Sequence, residues 1–547
     1  MAAKTRYGSA HFASTQDIQA AGLLSKTGLP FGFTWDKKPK QIRFAADTAN
    51  LILGTAGSGK LASHLAYQML EPNDRSVILD LKGEIAAITA MMQPWCEIHC
   101  FNPYGLWREP PWFLPHHRFN PLDMLDRNSP SFFEDALALA LNLINRSKAS
   151  GGNSQHFDNK AIALCHAGIL CLKEYNENAS LIDLFHFMGD LRGGGEEDFF
   201  QDLHYPAMRN SNFAFVQQMA DELLHKRSNA PSEYESILST VSNSLSILGS
   251  PSLQMALSGQ SDITAEQFCQ PDKSRKFFII IPAHLMEACA PIIRCIFAAF
   301  TIQQQRKPLG SLHLQIDEAA QLQRFDAMLR MFSYGRGSKT RVSAYYQNYG
   351  QLLSAFGKED TDTLISNAQS KLILGVASEQ TAKFVSDGLL GKATYEYDPY
   401  LKQYEAAQKR STAMMKAFHD GNLNQHFGDI LQADAGMDNP DSVSRNLLNP
   451  DEVMHMHSEV GIATFHGLGI RPYQYRKIPY YQHKDYAHRF LPNPFIAHDH
   501  ITVPAWFGRT KRVPIITEAV PEAISHLPQY QMQKWSFPKG YKPKLPK

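Results

Sequence analysis

Cysteine is scarce in this chain: seven occur in 547 residues. The number is odd, and no second Cys/His pair at ligand spacing accompanies Cys96, His99 and Cys100. A disulfide framework is therefore excluded, and buried thiols are expected here rather than a zinc site. Residues 1–10 carry Lys4 and Arg6 but no apolar core follows them as in a secretory signal, so a reduced, cytosol-facing compartment is expected. Charge of one sign is also missing. Lys plus Arg total 54 against 53 Asp plus Glu, a formal net charge of +1. That balance rules out a globally basic nucleic-acid binder but leaves a local basic groove or pore open. No long hydrophobic run occurs either. Residues 161–172 are interrupted by His166, and residues 277–302 by Pro282, His284, Glu287, Pro291 and Arg294, whereas a spanning helix needs about 20 mostly apolar residues. Internal repeats are absent, and 44% hydrophobic residues exclude a disordered or collagenous chain.

What is present is α/β alternation. Residues 50–53 form a short apolar run ending in glycine, 63–70 read as helical, and 77–80 as a second strand. Residues 276–282 (KFFIIIP), 312–317 (LHLQID), 341–346 and 371–376 add further strands. Continuous apolar runs of this kind suit a parallel sheet covered on both faces. From residue 132 to 249 the period becomes helical throughout, with segments at 133–146, 156–175, 213–226 and 234–248. An all-α insertion in an α/β domain is expected. Residues 402–439 are polar and read as a linker excursion. Residues 534–547 hold five lysines, three prolines and no acid, and are expected to be extended and poorly ordered.

The chemistry-bearing segment is Gly54-Thr55-Ala56-Gly57-Ser58-Gly59-Lys60, which fits G-x-x-x-x-G-K between a strand and a helix. Its glycines let backbone N–H groups wrap phosphates, the helix N-terminus favours the anion, and Lys60 reaches the β- and γ-phosphates. Leu61 follows where Ser or Thr normally ligates Mg²⁺. Water would have to fill that position, or hydrolysis is weak. Asp317 and Glu318 close a strand candidate: Asp317 is expected to hold Mg²⁺ and Glu318 to polarise the attacking water. Arg336 in the Tyr334-Gly335-Arg336-Gly337 turn is a candidate to act across a subunit boundary, and Gln347 at a strand end is a candidate γ-phosphate sensor. His498-Asp499-His500 lies on a Pro-rich stretch and reads as surface rather than a metal trio.

These motifs, in order, resemble the type IV coupling proteins of the TraG/TraD type. The matching segments are KTRYGSA at 4–10, the phosphate loop, LDLKGE at 79–84, Asn120-Pro121-Leu122 and IDEAAQL at 316–322. They continue with GRG at 335–337, Gln347 with Gln351-Leu352, RNLLNPDEV at 445–453 and KIPYY at 477–481. The resemblance implies a RecA-like P-loop NTPase domain with an inserted all-α domain, binding ATP and Mg²⁺. The expected layout is a lead-in at 1–44, the RecA-like domain at 45–130 and 266–490, the all-α domain at 131–265, and a Pro-rich basic tail at 491–547. It further implies a homohexamer at the cytoplasmic face of the bacterial inner membrane. There it would recruit relaxase–DNA or effector proteins, directly or through an adaptor or chaperone, to inner-membrane components of a type IV secretion system. Because RYGSA begins almost at Met1, a soluble form that is monomeric when isolated is expected.

Two other functions fit parts of the sequence. Leu61 suits a docking platform with little hydrolysis, and the phosphate loop alone would suit a DNA pump of the FtsK/HerA kind, against which RYGSA and RNLLNPDEV argue. The tail, with its lysines among Trp535, Phe537 and Tyr541, is expected either to be inert or to dock an acidic partner.

Overall fold

The computed structural model describes residues 9–45, 48–71, 75–145, 152–192, 198, 200–396, 399–419, 442–505 and 509–546. Most of the KTRYGSA segment lies outside the described residues; Ser9, its penultimate residue, bridges Ala393. Strands β1 to β13 include an eleven-stranded sheet. In chain order they are β1 (Leu29–Phe33), β2 (Gln41–Phe44), β3 (Ala49–Gly54), β4 (Arg75–Asp80), β5 (Glu97–Phe101), β6 (Arg275–Ile280) and β7 (Leu312–Ile316). The rest are β8 (Thr340–Tyr346), β9 (Ser370–Gly375), β10 (Lys392–Glu396), β11 (Ser442–Asn446), β12 (Val460–Phe465) and β13 (Tyr473–Arg476). The sheet order is β2-β1-β13-β12-β9-β3-β8-β7-β4-β6-β5. From β9 to β5 every pairing is parallel. The strands β12, β13, β1 and β2 extend it in antiparallel fashion.

The apolar runs are continuous because each face has its own cover. Leu51, Leu53, Val77, Leu79, Phe277 and Ile279 enter one core. Their neighbours Ile52, Ile78, Phe278 and Ile280 enter a second, as side chains that alternate across a strand must. Between β5 and β6 the described residues form helices and no strand, including Phe132–Leu143, Gly152–Tyr175, Leu181–Asp190, Ala214–Asn229 and Pro231–Leu245. Their apolar stripes join the first core without a break. The long helix Met286–Arg306 lies between this insertion and the sheet: Arg294 donates to the carbonyls of Asn142 at 3.0 Å and Leu322 at 3.0 Å. The apolar stretch containing it, Ala283–Arg306, is long and apolar enough to cross a membrane, but 78% of its most apolar part is buried within the fold.

The expectation of a loose tail fails for residues 534–538, while 541–546 carry no helix or strand and are mostly exposed. Residues 500–538 form a three-stranded antiparallel sheet of β14 (His500–Pro504), β15 (Thr510–Ala519) and β16 (Lys534–Pro538). Trp535 is 0% exposed and packs in the second core with Phe537 and Tyr530. Both Trp535 Nε1 and the Tyr530 hydroxyl donate to Met91 O, at 2.9 and 3.1 Å. Gln529 covers the edge of β5, accepting from Ile98 N at 3.1 Å and donating to Cys96 O at 2.8 Å. The lysines suggested a solvated tail, but alternate positions carry the large apolar groups that the second sheet face requires. The stretch read as a linker excursion begins as a helix, Pro399–His419, and its base is closed by the β10–β11 ladder. Residues 420–439 of that expectation lie outside the described residues. All seven cysteines are free and buried, and no group of three or more His, Cys, Asp or Glu side chains placed to hold a metal occurs among the described residues.

Candidate functional site

The carboxyl ends of β9, β3, β8, β7 and β4 lie side by side, where open parallel sheets bind ligands. Residue 54 ends β3 and begins the glycine loop. A Cβ there would approach Ser58 Oγ to 2.6 Å and Leu374 Cβ to 3.1 Å, so the loop packs closely on this glycine. Gly57 and Gly59 have φ of 76° and 86°, a left-handed conformation that costs glycine nothing. Thr55 N–H donates to Gly375 O at 3.3 Å and Ser58 N–H to Thr55 O at 3.1 Å, tying the loop to the end of β9 and to itself. Ser58 Oγ is buried with no hydrogen-bond partner. The following helix begins with a π-helical turn, Leu61–Leu65, before Ala66–Leu70.

Lys60 projects from this loop toward Glu318. Its Nζ lies 2.6 Å from Glu318 Oε1, and the two side chains are 11% and 18% exposed. The other carboxylate oxygen accepts from Gln347 Nε2 at 2.8 Å. Gln347 is oriented in turn, its N–H donating to Gln351 Oε1 at 2.8 Å. The residues singled out at 60, 318 and 347 thus form one hydrogen-bonded chain across three strand ends. Glu318 adopts φ 51° and ψ 49°, a conformation uncommon outside glycine and asparagine. It is how the carboxylate turns back from the end of β7 to face the loop.

Asp317 lies at the end of β7, next to buried Asp80 at the end of β4. Burial raises the Asp317 carboxyl to about 6, against the opposing pull of Lys60. Burial likewise raises Asp80 to about 7, and the nearby Asp317 charge adds to the shift. Asp80 Oδ2 also accepts Ala86 N–H at 2.8 Å. Two carboxylates held this way are a donor set suited to a hard divalent cation. Asp80 belongs to LDLKGE at the end of β4; its pairing with Asp317 appears once β4 and β7 are seen as neighbours.

Leu61 packs its side chain against the second core and the cluster around Tyr67 and Tyr480. The next hydroxyl along the helix, Ser63 Oγ, donates to Gly59 O at 2.6 Å. Arg336 is not brought to this group. It is exposed in the turn before β8, while Gln347 follows β8's other end. The seven residues of that strand span about 20 Å, so Arg336 cannot serve the loop of its own chain.

The sequence reading gave no role to Lys477, from KIPYY. Its ammonium donates to Ser58 O at 3.0 Å and to Leu374 O, clamping the loop to β9. Burial lowers this lysine to about 8. Below the loop, His64 Nδ1 is 2.9 Å from the Tyr345 hydroxyl, and burial holds the ring neutral by lowering it to about 3.

The family described as Type IV secretory system Conjugative DNA transfer matches residues 11–418. Conjugal transfer protein TraG of Escherichia coli is 23% identical over 484 residues, covering 82% of this chain and 71% of TraG. Among solved structures, the unbound bacterial conjugative coupling protein TrwBΔN70 aligns with a TM-score of 0.61 at 18% identity, covering 87% of this chain and 94% of that one. Plasmid coupling protein TrwB in complex with ADP and Mg²⁺ gives 0.61 at 17% identity, over 86% and 93%. These likenesses establish a RecA-like α/β fold with an added helical part. By the family match across most of its length, the chain belongs to the type IV secretory system conjugative DNA transfer family, the type IV coupling proteins.

Proposed function

We propose that this coupling protein binds ATP with Mg²⁺ at the strand ends and uses it to deliver relaxase–DNA or effector proteins to a type IV secretion system at the cytoplasmic face of the inner membrane. The observation that carries the reading is the Lys60–Glu318–Gln347 chain beside a glycine cradle in which Gly57 and Gly59 adopt left-handed backbone. Thr55 to Gly59 supply the backbone donors for phosphate, and Lys60 the countercharge. Asp317 and Asp80 would hold Mg²⁺, which supplies charge neutralisation between the β- and γ-phosphates. Glu318 would take up the attacking water once Lys60 turns to phosphate, with Gln347 fixing its second oxygen. Arg336, too far from its own loop, would act on a neighbouring copy in a homohexamer.

The test is a conjugation assay with a Lys60→Ala donor. Loss of transfer, together with lost ADP binding by the purified protein, is the expected result; transfer at wild-type frequency would overturn the motor reading. One observation favours a second reading. Leu61 is committed to apolar packing, which suits a nucleotide-gated docking platform with slow turnover. Steady-state phosphate release, measured with and without DNA, separates the two.

A further inference from the structure

The C-terminal sheet leaves one strand edge open beside a large cavity. Ala505 N–H donates to Arg509 O at 2.7 Å, and Ile515 N–H to Asp499 O at 2.9 Å. Odd-numbered positions of β14 therefore bond to β15, in the register that pairs Thr502 with Arg512. By the alternation of an antiparallel ladder, the N–H and C=O groups of His500 and Thr502, and the C=O of Pro504, point the other way. Among the described residues no strand pairs with that edge. A cavity of about 1160 Å³ borders every residue from 500 to 505. Thr510 and Arg512 of β15, opposite Pro504 and Thr502, line it too, so it extends over the face that the two strands share.

The charge around the cavity has one sign. Lys484, Arg509 and Arg512 border it and no Asp or Glu does. All three are exposed. Two carboxylates adjoin lining residues in sequence, Asp499, whose Oδ1 lies 2.7 Å from His500 Nδ1, and Asp485, next to Lys484; neither borders the cavity. Apolar groups are interleaved with the cations: Ile496 is 78% exposed and Tyr481 is 37% exposed on the cavity wall. An exposed strand edge offers main-chain hydrogen bonds, and neighbouring side chains select the sequence that adds to it. Cations with apolar contacts select alternating acidic and apolar residues.

We propose that the free edge of β14 is a strand-addition site for an extended acidic peptide segment of a cargo or partner protein. It gives the recruiting part of the coupling function a location and a ligand class, and it does not depend on nucleotide chemistry. The Lys60→Ala protein should therefore bind such a peptide as wild type does, so that failure of either idea leaves the other standing.

The experiment is fluorescence anisotropy on the full chain with a labelled peptide of alternating Glu and Val. Competitors are the matching Lys–Val peptide, an oligo-dT strand, and a Glu–Val peptide methylated on alternate backbone nitrogens. The Glu–Val peptide should bind wild type, and Arg509→Glu with Arg512→Glu should weaken it by about tenfold or more. Thr502→Pro, which removes an outward N–H, should weaken it similarly with an unchanged thermal midpoint. The methylated peptide tests the same main-chain bonds without altering the protein, and should compete poorly. Binding indifferent to charge reversal, or equal competition by the methylated peptide, would overturn strand addition. Displacement by oligo-dT at lower concentration than by unlabelled Glu–Val peptide would assign the surface to nucleic acid and overturn the proposal as well.

Discussion

The Lys60–Glu318 pair makes a quantitative demand on nucleotide affinity. The ammonium that should meet the β-phosphate is engaged with Glu318 Oε1 at 2.6 Å, and both side chains are largely shielded. A hydrogen bond involving charged groups contributes about 1.5–3 kcal/mol, and binding nucleotide forfeits much of it. Glu318→Gln keeps the side chain's size and its contact with Gln347 but removes the competing charge. If about half of the upper value of that range is lost, the competition falls by about 1.5 kcal/mol, or about tenfold in dissociation constant. Titration calorimetry should use ADP, because the product cannot be turned over and a slowed chemical step cannot mimic tighter binding. The variant should bind ADP about tenfold more tightly than wild type while its steady-state phosphate release falls to background. Equal or weaker ADP binding by Glu318→Gln would refute the claim that Glu318 holds the phosphate-binding lysine in reserve.

Three further outcomes are expected. Trp535→Ala should cost about 3–5 kcal/mol, because Trp535 is fully buried and its N–H serves Met91 O; truncation after Gln533 should be equally damaging in urea unfolding, and a truncated chain with the wild-type midpoint would contradict the folded tail. Acid should destabilise the fold through His64 and His117, which burial lowers to about 3 and about 4. The unfolded chain binds these protons near pH 6.5 and the folded chain does not, so their contribution is present above that pH and drains away toward pH 4, by a few kcal/mol (order of magnitude). Asp80 and Asp317, raised to about 7 and about 6, take up protons in the folded chain over the same range and oppose the loss. In an Asp80→Asn, Asp317→Asn chain, which removes that opposition, a flat melting temperature between pH 7 and 4.5 would refute this. Leu61→Ser should raise Mg²⁺-dependent phosphate release several-fold by supplying the absent hydroxyl, at about 1–2 kcal/mol of stability for the lost apolar contact; unchanged release with intact ADP binding would show that position 61 does not limit turnover.

The sequence by itself determined the parallel half of the sheet and the phosphate loop. Buried strands such as ANLILG, RSVILD and RKFFII announce themselves because both faces are covered, and apolar runs need no partner to be recognised. The loop is legible because phosphate contact depends on backbone geometry that only glycines at fixed spacing permit. The helical insertion is visible for the same local reason, a change of period. Asp317, Glu318 and Gln347 were found at their strand ends from sequence, yet only the order β3-β8-β7 brought Lys60 within 2.6 Å of Glu318. What joins distant segments left no local trace. Lys477 reads as one lysine in KIPYY until the antiparallel extension carries it to Ser58, 419 residues earlier in the chain. The tail looked solvated because its lysines outnumber its aromatics, and lysine count reports on the side facing water. Whether Trp535 and Phe537 face water or a core depends on an uncovered sheet face some 440 residues away. Arg336 shows the converse: its motif is plain, but its place at the far end of β8 was set by strand direction, a property of the sheet rather than of the residues around it.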